Sequence, residues 1–98
     1  MSNSDINTVP APPMAVEKGG VEVLRAFIVE GRLEVSLRRA FEEPDVWGVM
    51  IADVARHAAR IFAKETKMSE DEALEKIRDM FNDEMDKPTD SGSTRAVS

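Results

Sequence analysis

The sequence predicts an α+β domain, an antiparallel β-hairpin followed by two antiparallel helices in the order ββαα. Three observations lead there. The hydrophobic pattern changes abruptly near residue 40, from strand alternation to helical spacing. Two apolar runs of strand character flank Glu30-Gly31. Two amphipathic runs then open at Pro44 and Ser69 with helix-starting chemistry.

The chain has 98 residues, which leaves room for one domain. Residues 1–18 are polar, lack periodicity and carry Pro10, Pro12 and Pro13, so they read as a flexible N-terminal arm. A proline-rich ligand motif is a lesser alternative, because plain linkers are also rich in proline. Gly19-Gly20 marks the boundary to a single ββαα domain over residues 19–87.

Val21–Val29 is rich in β-branched and apolar residues, and Arg32–Arg38 alternates with Leu33, Val35 and Leu37 on one face. A two-residue turn at Glu30-Gly31 pairs Ile28 with Leu33, Ala26 with Val35 and Leu24 with Leu37. That register gives an uncharged inner face. A three-residue loop with Gly31 in a bulge would turn Val23, Arg25 and Phe27 inward and bury a charge, so the first register is preferred. Glu30 is not an ideal residue for a turn that needs positive φ. The outer face then carries Val21, Val23, Phe27 and Val29 among its charges. A strand apolar on both faces expects cover on both sides, and a lone two-stranded hairpin is marginal in water.

Pro44 suits the first turn of a helix, where its missing N–H costs nothing. The helix is expected to run to about Glu65. Trp47, Met50, Ile51, Val54, Ala58, Ile61 and Phe62 form a broad stripe expected in the core. Beside it lies a stripe of small residues, Gly48, Ala52, Ala55, Ala59 and Ala63. Self-association is one use for it, packing against the second helix the more ordinary one. Ser69-Glu70-Asp71-Glu72 reads as a capping box. The second helix is expected to reach about Asp86, with Ala73, Leu74, Ile77, Met80, Phe81 and Met85 inward, and Pro88 ends it. The short link from Lys64 to Met68 makes the helices antiparallel. Residues 88–98 read as a disordered C-terminal tail.

Composition bounds the function. The formal net charge of −6 disfavours nucleic acid as a partner, since phosphate binding calls for a basic face. No apolar run is long enough to span a bilayer. With no cysteine, thiolate zinc sites and thiol nucleophiles are excluded. One histidine excludes a His-rich metal site. The absence of cysteine and of a secretory leader leads to a cytoplasmic expectation. No cofactor, no metal site and no catalytic residue is expected.

Candidate sites remain on the surface. Asp53 and His57 stand four apart on one helix face, where a carboxylate can orient an imidazole for acid–base work. No third group is evident, and an exposed helix pair is the plainer reading. Arg56, Arg60 and Lys64 form a basic ridge able to grip phosphate or an acidic partner, or simply to face the acidic second helix. Trp47 could stack on a ligand, although its place at the start of an apolar stripe fits a core role. The acidic residues of the second helix lack the spacing of a calcium loop.

The run Glu22–Arg38, then Pro44-Asp-Val-Trp-Gly48, then Ala52-Asp-Val-Ala-Arg-His-Ala-Ala-Arg60 resembles a family of small bacterial proteins known as domain of unknown function 5076. The resemblance covers about residues 20 to 86, with Trp47-Gly48 and Asp53/Arg56-His57/Arg60 its most specific parts. It implies a self-contained domain and no activity. The leading functional expectation is a non-enzymatic homodimeric interaction module that buries Val23, Phe27 and Val29. Two alternatives stand beside it. One is an adaptor or regulator that binds an unknown protein partner through the Arg56/Arg60/Lys64 ridge or the tails. The other is a small ligand binder or enzyme built on Asp53 and His57.

Overall fold

A computed structural model describes residues 7–89 and 93–97. Its elements are α1 (Pro13–Lys18), β1 (Leu24–Val29), β2 (Arg32–Leu37), α2 (Pro44–Glu65), α3 (Glu70–Asp86) and β3 (Ser93–Ala96). The α+β class and the ββαα succession of the central elements agree with the sequence.

The hairpin has the expected register, with Leu24 opposite Leu37, Ala26 opposite Val35 and Ile28 opposite Leu33. The turn takes positive φ at both Glu30 (52°) and Gly31 (79°). This is the mirror-image turn whose twist matches the strands. Arg38 continues the pairing, its N–H donating to Val23 O at 3.0 Å and its Nε–H to Glu22 O at 3.0 Å.

The ends, expected to be a flexible arm and a disordered tail, carry two further elements. The arm holds a six-residue helix at Pro13–Lys18, opened by proline at its first turn and closed by Gly19 in the left-handed region (φ 73°). The tail supplies a third strand, with β3 parallel to β2 and Glu34, Val35, Ser36 and Leu37 opposite Ser93, Thr94, Arg95 and Ala96. The sheet order is β1-β2-β3, which makes β2 central. Backbone groups along the free side of β2 are thereby paired, a gain independent of side-chain hydrophobicity. Residues 1–6, 90–92 and 98 of those two expectations lie outside the described residues.

α2 begins at Pro44 and carries Asp45 in its first turn. Thr66 closes it, its hydroxyl donating to Phe62 O at 2.6 Å and accepting from the Met68 N–H at 3.1 Å. Ser69 then caps α3, its hydroxyl accepting from the Glu72 N–H at 3.1 Å, the first half of the expected capping box. The helices pack along the small stripe. Ala59 and Ala73 are 0% and 2% exposed and form the dry centre of the contact. Alanines let the backbones come close there.

The large stripe of α2 is less covered, with Trp47, Met50 and Ala58 half-buried and the rest open. Ile51, Val54, Ile61 and Phe62 are 43–55% exposed. That corrects the expectation that this stripe is the core, because α3 occupies the small stripe instead. The helix pair does not lie on the hairpin either: no Cα of the three strands comes within 8 Å of a Cα of α2 or α3. What joins the two halves is the connector over residues 38–43.

Candidate functional site

The connector is braced at one point. Trp47, half-buried in the first turns of α2, donates its indole N–H to Arg39 O at 2.7 Å. Its ring meets Phe41 edge-on, with centroids 5.8 Å apart at 74°. Ala40 between them takes a left-handed φ of 66°. Trp47 is thus a strut that fixes the angle between hairpin and helices, not a free stacking platform.

That angle leaves apolar faces bare on both halves. On the hairpin, Ile28 is 72% and Leu33 50% exposed, on the uncharged face expected to turn inward. On the other face, the candidate interface residues are unequally open. Val23 and Phe27 are half-buried, the Arg25 guanidinium lies over the Phe27 ring at 5.2 Å, and Val29 is 50% exposed. Sequence reasoning weighted that second face because it sought cover for the first one inside the chain.

On the helix pair, an apolar groove of about 260 Å³ opens between the first half of α2 and the middle of α3. Gly48 and Ala52 of α2 face Ile77 and Phe81 of α3 across it, and Ile51 and Leu74 extend the apolar lining. The groove exists because small residues stand opposite large ones while the closest approach lies further on, at Ala59 and Ala73. A Cβ added at Gly48 would meet nothing within 4 Å, so no atom of the chain fills the space beside it. Arg56 and Arg78, both exposed, border the groove. Sequence reasoning missed it, although small residues facing Ile77 and Phe81 on a paired helix were its signal.

The polar wedge of α2 is distributed differently from the expectation. Asp53 pairs with Arg56 at 4.0 Å, both side chains more than half exposed. Arg60 pairs with Glu70 of α3 at 3.7 Å and lies 3.4 Å from His57 Nδ1. An arginine can only donate, so that contact takes Nδ1 as an acceptor. Asp53 and His57 share a face, but each has an arginine for its neighbour. The ridge is partly neutralised by its own surroundings, and an exposed pair of this kind is worth little. Among the described residues no group of three or more Asp, Glu or His is arranged to hold a metal ion. No described helix is long and apolar enough to cross a membrane.

Glu84 near the end of α3 accepts from the Thr89 N–H at 2.8 Å and from the Thr89 hydroxyl. These bonds, the hydroxyl first, hold its carboxyl below the usual carboxylate range.

Comparison with known proteins bears on ancestry. No curated protein matches the chain. A solved structure from the photosynthetic bacterium Rhodopseudomonas palustrus CGA009, described as a "putative pyruvate dehydrogenase", is 44% identical, with a TM-score of 0.73 over 94% of this chain and 96% of that one. A family described as a domain of unknown function matches residues 8–89, so it takes in α1 and residues 8–18 of the arm, which the sequence resemblance had left out. With hairpin, strut and both helices inside that span, the chain belongs to the family of the domain of unknown function DUF5076.

Proposed function

We propose that this chain is a non-enzymatic interaction module that works as a homodimer. The supporting observation is its uncovered surface. A compact monomer of 10.9 kDa is expected to expose about 5,600 Å², whereas this chain exposes 8767 Å². Its radius of gyration is 15.3 Å, against about 12.6 Å for a compact domain of this length. The excess, about 3,200 Å² on the same scaling, is shared between the exposed N-terminal stretch over residues 7–22 and the bare apolar faces. An obligate homodimer commonly buries roughly 2,000–5,000 Å² in total, so one protomer's share fits within that excess. The bare residues are aliphatic and aromatic on both halves of the molecule, as in a domain core cut in half.

A dehydrogenase reading, raised by the name of the Rhodopseudomonas relative, has little to stand on in these residues. The single histidine neighbours Arg60 rather than a carboxylate, and the groove between α2 and α3 is apolar with arginines beside it. A cytoplasmic site of action accompanies the dimer reading, supported by the absence of cysteine.

Sedimentation velocity of the full chain over a wide concentration range tests the reading. The expected result is a dimer that persists on dilution. A monomer at every concentration would overturn it and turn the search toward a different protein partner for the same apolar faces.

A further inference from the structure

The two bare faces lie on the same chain, are complementary in character, and are held apart by the Trp47 strut. The hairpin tip presents Ile28 and Leu33 beside the Glu30-Gly31 turn. The helix pair presents an apolar groove bordered by Arg56 and Arg78. Among the described residues neither Glu30 nor Arg78 has an ion-pair partner. Glu30 also occupies a left-handed conformation, φ 52°, where asparagine or glycine is the ordinary choice. A strained glutamate at the tip of an apolar knob points to a use for its charge.

We propose that the groove between α2 and α3 seats the hairpin tip of a second copy of the chain, exchanged reciprocally about a two-fold axis. Ile28 and Leu33 of one protomer fill the groove beside Gly48 and Ala52 of the other. Glu30 is drawn toward Arg56 and Arg78. The inference rests on the homodimer reading and supplies its geometry. A second copy is the occupant because it brings cover for both faces at once, and because the acidic tip at Glu30 complements the arginines, Arg56 and Arg78, that border the groove. Closure within one chain is disfavoured by the strut, since the Trp47–Arg39 bond and the Phe41 contact fix the connector at the start of α2.

Charge reversal tests this at residues that are exposed and unpaired, so the fold is spared. The dissociation constant of the full chain is measured at low salt by sedimentation equilibrium, for the parent, for Glu30→Arg, for Arg78→Glu, and for an equimolar mixture of those two variants. Each variant alone sets like charges against each other in both seats and is expected to weaken the dimer about tenfold or more. In the mixture one seat is native and the other joins the reversed charges, so association is expected to recover. A sheet-on-sheet or helix-on-helix dimer has no reason to show that recovery. A dimeric parent whose variants associate normally, or fail to recover on mixing, overturns the exchange and leaves the homodimer reading intact. A monomeric parent overturns both.

Discussion

The indole N–H of Trp47 lies 2.7 Å from the carbonyl oxygen of Arg39, and through it the first turns of α2 hold the end of the hairpin. This bond and the Phe41 contact are the tie between two halves whose strands and helices do not otherwise approach. Trp47→Phe removes the hydrogen bond and keeps a ring against Phe41. It is expected to cost about 1 kcal/mol, the usual net worth of such a bond. Trp47→Ala removes both and is expected to cost more. Thermal unfolding of the two variants orders them. A Trp47→Ala curve that overlays the parent would show that the strut carries no load.

Much of the fold was legible because it depends on local chemistry. The hairpin register followed from the alternation around Glu30-Gly31, since the inverse choice would have turned Arg25 inward. Pro44 and Ser69 announced the helix starts. What stayed hidden depended on partners distant in sequence. Ser93-Thr-Arg-Ala96 has no strand pattern, and it becomes β3 because β2 offers it an unpaired edge. On α2 the large and small stripes are equally periodic, and hydrophobicity favoured the large one. Close approach at Ala59 and Ala73 decided for the other. For the wedge, spacing put Asp53 beside His57, yet Arg56 and Arg60 stand at comparable spacing and are the observed neighbours.

The two faces of the hairpin are expected to differ under mutation. Phe27 is half-buried beneath the Arg25 guanidinium, so part of its apolar surface is already satisfied within the strand. Ile28 next to it is 72% exposed and has nothing over it. Ile28→Glu should therefore disrupt association strongly, and Phe27→Glu should act mainly on stability. Gel filtration and melting of both variants separate the effects. Loss of the dimer in Phe27→Glu alone would return the interface to the Val23, Phe27 and Val29 face.

Acid should loosen the join between α3 and the tail. The Glu84 carboxylate is favoured in its charged form by the Thr89 hydroxyl and N–H, so its folded pKa lies below its unfolded one. A depressed carboxyl contributes stability that is fully present above the unfolded carboxylate value. That contribution is lost as pH falls through the lowered folded value. Amide exchange of Thr89 followed from neutral pH downward should show protection lost on the acid side. Glu84→Gln should flatten that pH dependence.

Gly48 is costly where it stands, because glycine in a helix is less favourable than alanine by about 1 kcal/mol. Nothing within the chain requires it, since an added Cβ would meet no atom within 4 Å. Gly48→Ala should therefore raise the stability of the isolated protomer. If a second copy comes close at this point, the same methyl should weaken association. Dimer dissociation measured beside helix stability reads the two effects separately, and a variant improved in both respects would place the partner elsewhere.

The alanine stripe should tolerate enlargement at one end and refuse it at the other. Ala59 is fully buried against α3, so Ala59→Leu must push the helices apart, at about 1–3 kcal/mol for an overpacked site. Ala52 lies two turns earlier, beside open groove. A leucine there can occupy free volume and cover Ile77 and Phe81, which should leave the protomer as stable as before or more so. Its cost should appear in the dimer, because the side chain fills the seat meant for the hairpin tip. Chemical denaturation of the two variants, with their dissociation constants, gives the contrast. Equal destabilisation of the protomer at both sites would mean that α2 and α3 close along their whole length in solution.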